Sequence, residues 1–214
     1  MNLQLIVITD RALAAPRDPI DVVRACLEAG APAVQLRDKH ASARELYDQA
    51  VALRELTAAY DALFFVNDRL DVALAAGADG VHLGPDDLPL HAARLAAPAD
   101  FLIGYSTDDP AEAAQAQAAG ASYIGCGAVF GTTTKPEAAG EQIGLERLEA
   151  VVKAVEIPVV GIGGIGPENA ELVARTGAAG VAVVRAIMAA DDPAEVVRRL
   201  LDAFRKGGDR QPGG

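Results

Sequence analysis

Short apolar runs alternate with longer segments of mixed polarity along most of the chain. The runs are rich in Val, Ile and Leu, a pattern typical of strands that are buried on both faces. The segments between them carry apolar residues at steps of three and four, which predicts amphipathic helices. Strands are predicted at Leu5–Thr9, Ala31–Val34, Leu63–Asn67, Phe101–Gly104 and Val159–Gly163, and helices at Pro19–Ala29, Ala43–Ala58, Pro110–Ala119 and Pro193–Phe204.

One short phrase occurs four times, and each copy joins a helix end, a glycine and a buried strand. The glycines are Gly30, Gly77, Gly120 and Gly177, at intervals of 47, 43 and 57 residues. Glycine is favoured just after a helix because it accepts left-handed backbone angles. Each interval leaves room for two strand–helix units, so the repeat predicts eight such pairs.

Eight alternating strand–helix pairs predict an α/β fold, a (β/α)₈ TIM barrel formed by one domain over residues 1–206. An open doubly wound sheet is the alternative architecture, and the fourfold repeat favours the barrel. Residues 207–214 are rich in glycine and predict a disordered tail. In a barrel of this kind, catalytic residues are expected at the carboxyl ends of the strands.

Composition narrows the class of protein. Hydrophobic residues make up 51% of the chain, only 4% is aromatic, and the net charge of −11 argues against a nucleic-acid surface. The two cysteines fit no disulfide or metal framework, which favours a reducing cytoplasm. We expect no membrane span and no leader, because no apolar run is long enough and the basic start of a signal peptide is missing. The sequence does not decide whether the chain forms a homo-oligomer.

The second strand is followed by a row of polar side chains. Gln35, Arg37 and Lys39 alternate along the chain, so a continued strand would direct an amide and two cations to one face. Such a row suits a diphosphate. The alternative is a strand end that runs into solvated charges.

Carboxylates follow the third and fourth strands. Asn67 and Asp68 end one strand, and Asp87 follows the next. Two carboxylates together with substrate phosphates are the usual ligands of Mg²⁺, so we expect a magnesium site here. The alternative is that each aspartate caps the helix that follows it.

Hydroxyl groups follow the fifth and sixth strands. Ser106 could donate to a phosphate, while Thr107 or Asp109 could cap the helix that starts at Pro110. Thr132, Thr134 and Lys135 lie in a long irregular segment from Gly131 to Gln142, for which we expect a phosphate-binding lid. A flexible polar linker is the alternative.

Glycine-rich and small residues follow the last two strands. Gly163 ends the predicted seventh strand and Gly164 follows it, and Val184 and Arg185 follow the eighth strand. Loops at these two places often bind phosphate in this fold, because glycine lets backbone N–H groups approach the anion. Two anion sites at one mouth suit a reaction in which a diphosphate leaves and a monophosphorylated substrate attacks.

These motifs, in this order, resemble the thiamine-phosphate synthase family over nearly the whole chain, from Ile8 to Ile187. The most specific segments are Val34–Lys39, Asn67–Arg69, Gly80–Gly84, Thr132–Lys135 and Gly161–Ile165. The resemblance implies that hydroxymethylpyrimidine diphosphate is coupled to a thiazole phosphate, giving thiamine phosphate and diphosphate. It also implies a dissociative, magnesium-assisted mechanism, in which the C–O bond breaks before the thiazole nitrogen captures the pyrimidine-methyl cation.

The resemblance also implies roles for individual residues. Asp68 and Asp87 would bind Mg²⁺, and Gln35 and Ser106 would lie near the pyrimidine and the diphosphate. The residues implied in stabilising the diphosphate are Arg37, Lys39, Asn67 and Lys135; those around the thiazole phosphate are Thr132, Thr134, Gly164, Val184 and Arg185.

The chain departs from the family pattern at several positions. Pro85 stands where the family often has Gln, and Ala128 and Gly131 stand where it has Pro. Asp108 replaces a common His, and Arg185 replaces a usual Ser. Two other functions stay open: a thiazole tautomerase, whose proton-transfer His is expected near Asp108, and a non-catalytic phosphate-ligand sensor.

Overall fold

The computed structural model of the protein describes residues 1–131 and 142–208. Eight parallel strands form a closed barrel in chain order, and the first strand pairs with the eighth as well as the second. The TIM-barrel prediction is therefore confirmed, and the alternative of an open sheet is wrong. The strands are β1 Leu5–Ile8, β2 Ala33–Leu36, β3 Leu63–Asn67, β4 Gly80–Leu83, β5 Leu102–Ser106, β6 Tyr123–Gly127, β7 Val159–Ile162 and β8 Gly180–Val183.

Helices follow the strands and surround the barrel. Several of the described helices start at an aspartate or serine that accepts a hydrogen bond from the first turn, among them Asp10, Asp18, Ser42 and Asp109. The described helices are α1 Arg11–Ala14, α2 Pro19–Glu28, α3 Ala43–Ala58, α4 Leu70–Ala75, α5 Leu90–Ala96, α6 Pro110–Ala118, α7 Gly144–Ala154, α8 Ala170–Ala174, α9 Arg185–Met188 and α10 Pro193–Gly208. No helix in the described ranges is long and apolar enough to cross a membrane.

The buried side chains form two separate cores. The larger core lies between strands and helices and includes Val34, Phe64 and Val81. The smaller one fills the barrel and includes Phe65 and Tyr123, whose rings meet edge to face at 5.4 Å. Because both faces of each strand are buried, the strands read as continuous apolar runs.

The repeated glycines end helices as the sequence predicts. Gly30, Gly77, Gly120 and Gly177 all have positive φ angles, between 66° and 98°. The N–H of Gly30 donates to Leu27, and the next N–H donates back to Cys26, so the last carbonyls of α2 are satisfied. The chain then enters β2.

Several predicted boundaries differ from the structure; β5, for example, runs from Leu102 to Ser106 rather than from Phe101 to Gly104. Strand β2 runs from Ala33 to Leu36 rather than from Ala31 to Val34, because the buried pairing with β3 continues to Leu36. Helix α10 extends to Gly208, although a disordered tail is predicted from residue 207. Gly207 is buried against α8, where a Cβ would lie 2.6 Å from the Cβ of Ala174, so the missing side chain permits this close packing. Residues 209–214 of that predicted tail lie outside the described residues.

Candidate active site

A cavity of about 820 Å³ opens at the carboxyl ends of the strands. All eight strands contribute to its lining, so the barrel geometry brings together residues that are far apart in the sequence. Its lower wall is apolar and includes Ile8, Val160 and Ile162. The predicted site residues that line it are Gln35, Arg37, Asn67, Ser106, Gly164, Val184 and Arg185.

Arg37 is held by the neighbouring strand. The Thr9 hydroxyl accepts a hydrogen bond from the Arg37 N–H at 2.8 Å and donates to its carbonyl at 3.2 Å. The guanidinium lies 3.9 Å from the Asp10 carboxylate and is only 17% exposed. Because β2 ends at Leu36, strand alternation does not set the direction of Arg37, contrary to the prediction. Thr9 holds its main chain, and the Asp10 carboxylate lies beside its guanidinium.

A second cluster lies beside the cavity and contains Lys39, Asp68 and Asp87. The ammonium of Lys39 is 3.7 Å from the Asp68 carboxylate. Asp68 has a φ of +62°, and its N–H donates to the carbonyl of His82 on β4. Asp87 accepts a hydrogen bond from the N–H of Gly84 at 2.6 Å. Contacts within the protein therefore place both carboxylates.

Neither carboxylate caps a helix. The residue at the N-cap of α4 is Arg69, and that of α5 is Pro89, and neither side chain makes a capping bond. The capping alternative for Asp68 and Asp87 is thus wrong. Asp109, in contrast, caps α6 by accepting bonds from two N–H groups, which lowers the pKa of its carboxyl.

The electrostatics of this cluster fit a cation. Burial, followed by a hydrogen bond and charge repulsion from Asp87, raises the pKa of Asp68, and Lys39 and Arg37 offset part of that effect. Among the described residues no group of three or more His, Cys, Asp or Glu could hold a metal. A pair of carboxylates is nevertheless the donor set that Mg²⁺ uses when substrate phosphates and water complete its coordination.

A hydrogen-bonded row of four side chains crosses the cavity floor, and only two of them, Gln35 and Ser106, are predicted from the sequence. His82 contacts the Tyr123 hydroxyl through Nδ1 at 2.9 Å and the Ser106 hydroxyl through Nε2 at 2.8 Å. The Tyr123 hydroxyl also hydrogen-bonds the Gln35 side chain. No role was predicted for His82 or Tyr123. The signal for them lies in the glycines of β5 and β6, which leave space for both rings.

The loop after β7 is built on two glycines. Gly163 and Gly164 have φ angles of +96° and +64°. A Cβ on Gly164 would lie 2.8 Å from the carbonyl oxygen of Phe130. Asn169 fixes the other side of the loop, since its amide donates to the Gly164 carbonyl and accepts from the N–H of Gly166. The main chain of this loop thus lines one end of the cavity, together with Glu168.

Arg185 begins α9, is exposed, and lines the cavity close to this loop. Neither Asp191 nor Asp192 forms an ion pair with it in the described parts of the chain, although both are near it in sequence. Asp108, at the position of the expected family His, also lines the cavity.

Three predicted site residues lie outside the described residues: Thr132, Thr134 and Lys135. The predicted lid from Gly131 to Gln142 falls mostly in the same range. Phe130 and Gly131, which precede it, line the cavity.

Comparison with known proteins gives consistent results. A family model described as thiamine monophosphate synthase matches residues 5–187. Thiamine-phosphate synthase from Pyrococcus furiosus is 49% identical over 96% of this chain and 94% of its own length. The corresponding protein from Natronomonas pharaonis is 48% identical over 92% of both chains.

Solved structures agree with the sequence relatives. Thiamine phosphate pyrophosphorylase from Pyrococcus furiosus superposes with a TM-score of 0.89 and is 46% identical in sequence. The superposition covers 96% of this chain and 97% of that protein. A 3-hexulose-6-phosphate synthase, 21% identical with a TM-score of 0.70, covers 94% of this chain and 99% of its own, and shares the fold.

Proposed function

The chain belongs to the thiamine monophosphate synthase family, and from that premise we propose the reaction in detail. It is an enzyme of thiamine biosynthesis and a transferase. We propose that it joins hydroxymethylpyrimidine diphosphate to thiazole phosphate, with release of diphosphate. One observation carries this proposal: an aspartate pair with Arg37 and Lys39 stands at one end of the site, and a glycine loop stands at the other.

The first end suits the leaving diphosphate. Negative charge grows on the leaving oxygen as the C–O bond breaks, and cations fixed beforehand stabilise it without rearranging. Arg37, Lys39 and the Asn67 amide are the described groups proposed for this task. Asp68 and Asp87 would hold Mg²⁺, which when bound would neutralise charge on the leaving diphosphate.

The middle of the cavity suits the pyrimidine. Breaking the C–O bond leaves a pyrimidine-methyl cation, which water would capture if water could reach it. The apolar wall formed by Ile8, Val160 and Ile162 offers no nucleophile. Gln35 and Ser106 would orient the ring from the polar side of the cavity.

The second end suits the thiazole phosphate. Exposed N–H groups of a glycine loop approach an anion closely, and the guanidinium of Arg185 lies on the same rim. A phosphate held there would direct the thiazole nitrogen towards the middle of the cavity. The nitrogen then forms the new C–N bond, and the diphosphate carries away the electron pair of the broken C–O bond.

A coupled assay tests the reaction directly. Both substrates are supplied with Mg²⁺, and thiamine phosphate and diphosphate are measured separately, since the reaction releases them in equal amounts. Lys39→Ala is expected to lower the rate. Lys153→Ala is the matched control, because Lys153 is an exposed lysine that pairs with Glu149 on α7. Wild-type protein that forms neither product from both substrates would overturn the proposal.

The same two substrates test the two alternative functions. A thiazole tautomerase would convert thiazole phosphate in the absence of the pyrimidine substrate. A phosphate-ligand sensor would bind without turnover. Either result, obtained together with an inactive coupled assay, would replace the proposed transfer.

The proposal also places the enzyme in the cytoplasm. Cys26 and Cys126 are both unpaired, and both are buried. Unpaired thiols are usual in a reducing compartment.

A further inference from the structure

Four side chains on the cavity floor form one continuous hydrogen-bonded row: Gln35, Tyr123, His82 and Ser106. Tyr123 is 1% exposed and Gln35 is 3% exposed, although both belong to the lining of the cavity. His82 stands between Tyr123 and Ser106, with one ring nitrogen on each hydroxyl. A buried row of side chains whose polar atoms are all hydrogen-bonded holds those side chains in one geometry.

Two glycines make the space for this arrangement. A Cβ on Gly104 would lie 2.5 Å from the Nδ1 of His82, and one on Gly125 would lie 2.9 Å from its Cε1. Any larger residue at either position would push the imidazole away. The backbones of β5 and β6 therefore position the ring from both sides.

We infer that Tyr123 and His82 are positioning residues that orient the Ser106 hydroxyl, so that its proton is donated into the cavity. This inference rests on the proposed function for its link to catalysis. Both residues line the cavity, and the role proposed for them is exerted through Ser106.

The direction follows from counting protons along the row. The Tyr123 hydroxyl carries one proton, the neutral imidazole one and the Ser106 hydroxyl one. If the Gln35 amide donates to Tyr123, then Tyr123 donates to Nδ1 and the Nε2–H donates to Ser106. The serine proton is then available for the cavity. In the opposite direction, Ser106 would donate to His82 and offer only lone pairs.

The charge on the cavity wall selects the first direction. Arg37 on the same cavity marks it as a place for anions, and an anion needs donors rather than lone pairs.

Nitrogen NMR of the protein labelled at histidine tests the direction without substrate. The chain has three histidines, and the His82 signals are those that disappear in His82→Gln. We expect a neutral ring with its proton on Nε2. A proton on Nδ1, or on both nitrogens, would overturn the inference whether or not the proposed reaction occurs.

Kinetics test the link to Ser106. Tyr123→Phe keeps the ring and removes only the hydroxyl, and we expect kcat to fall about three- to tenfold, the effect of one neutral hydrogen bond. KM for thiazole phosphate should not change. In a Ser106→Ala background, the same substitution should have no further effect, because residues that act as a unit are not additive.

Tyr105→Phe is the matched control. Tyr105 lies one residue before Ser106 but donates to Glu112 on α6, and its loss should leave kcat unchanged. An equal loss of kcat from Tyr123→Phe in both backgrounds would refute action through Ser106. If the wild type forms no product while the tautomer is as expected, the proposed reaction fails and the orientation of the row stands.

Discussion

The glycine loop after β7 offers the sharpest test of the site, because one substitution there has two separable effects. Gly164 has a φ of +64°, a left-handed conformation that is strained for any residue with a side chain. A Cβ added there would also lie 2.8 Å from the Phe130 oxygen and 2.9 Å from the Gly131 oxygen. Ordinary contact begins at 3.4 Å, so the 130–131 backbone would have to move by about half an ångström.

Gly77 is a matched control for Gly164→Ala. Its φ is +66°, yet a Cβ there would meet nothing within 4 Å. Gly77→Ala therefore carries the backbone strain alone, about 1 kcal/mol. Gly164→Ala adds the crowding of two backbone oxygens, for which overpacking typically costs about 1–3 kcal/mol more.

Thermal unfolding and steady-state kinetics separate these effects. A loss of 1 kcal/mol lowers the unfolding midpoint of a chain of this size by about 2–4 °C, so Gly77→Ala should shift it by that amount and Gly164→Ala by at least twice as much. Gly164→Ala should also raise KM for thiazole phosphate about tenfold, the value of one hydrogen bond to a charged group. KM for the pyrimidine substrate should stay the same. Equal midpoints for the two variants, or unchanged kinetics, would refute the reasoning.

Four further expectations follow from the site. Asp68→Asn or Asp87→Asn should raise the Mg²⁺ concentration needed for half-maximal rate by about ten- to a hundredfold; full activity of both at low Mg²⁺ would exclude a metal there. Arg37→Ala should lower kcat on the order of a hundredfold, and a raised KM with normal kcat would contradict its role on the leaving group. Arg185→Ser should weaken thiazole-phosphate binding by about 1.5–3 kcal/mol in a titration and leave the pyrimidine substrate unaffected; an unchanged affinity would make that side chain a surface group. Burial raises the pKa of both cysteine thiols to about 12, so a thiol reagent near pH 8 should modify them only after unfolding, and rapid labelling of native protein would contradict this.

The fold was predictable because each strand–helix unit has its own local sequence signals. Each repeated glycine ends a helix through its own backbone angle, and each following run is apolar enough for a doubly buried strand. Because both signals are local, they can be recognised in the sequence without any knowledge of tertiary contacts. Strand ends were less predictable, because Gln35 and Leu36 are both buried although only one of them is apolar.

The cavity lining was predictable where polar, charged or glycine residues stand at the end of a strand. The residues found in this way are Gln35, Arg37, Asn67, Ser106, Gly164 and Arg185. Aspartate serves equally well as a cap or as a metal ligand, so the sequence alone could not exclude capping by Asp68 and Asp87. The observed caps of α4 and α5 exclude it, and the metal stays a prediction. His82 and Tyr123 lie inside doubly buried strands. No alternation of polarity marks the inner face of such a strand, and their meeting depends on the register between β4, β5 and β6.

The described site is fixed largely by groups that would not touch a substrate. Thr9 holds the main chain of Arg37, the His82 carbonyl holds that of Asp68, and the N–H of Gly84 holds the Asp87 carboxylate. Each of these contacts joins a strand end to its neighbour in the barrel or to a tight turn. Because the charges are held in place before a ligand arrives, they need little rearrangement when charge develops on a leaving group. The closed barrel thus contributes to the proposed reaction by holding the charged groups rigidly. The net charge of −11 is spread over the whole chain, whereas the cations at the site act on the leaving group over a few ångströms.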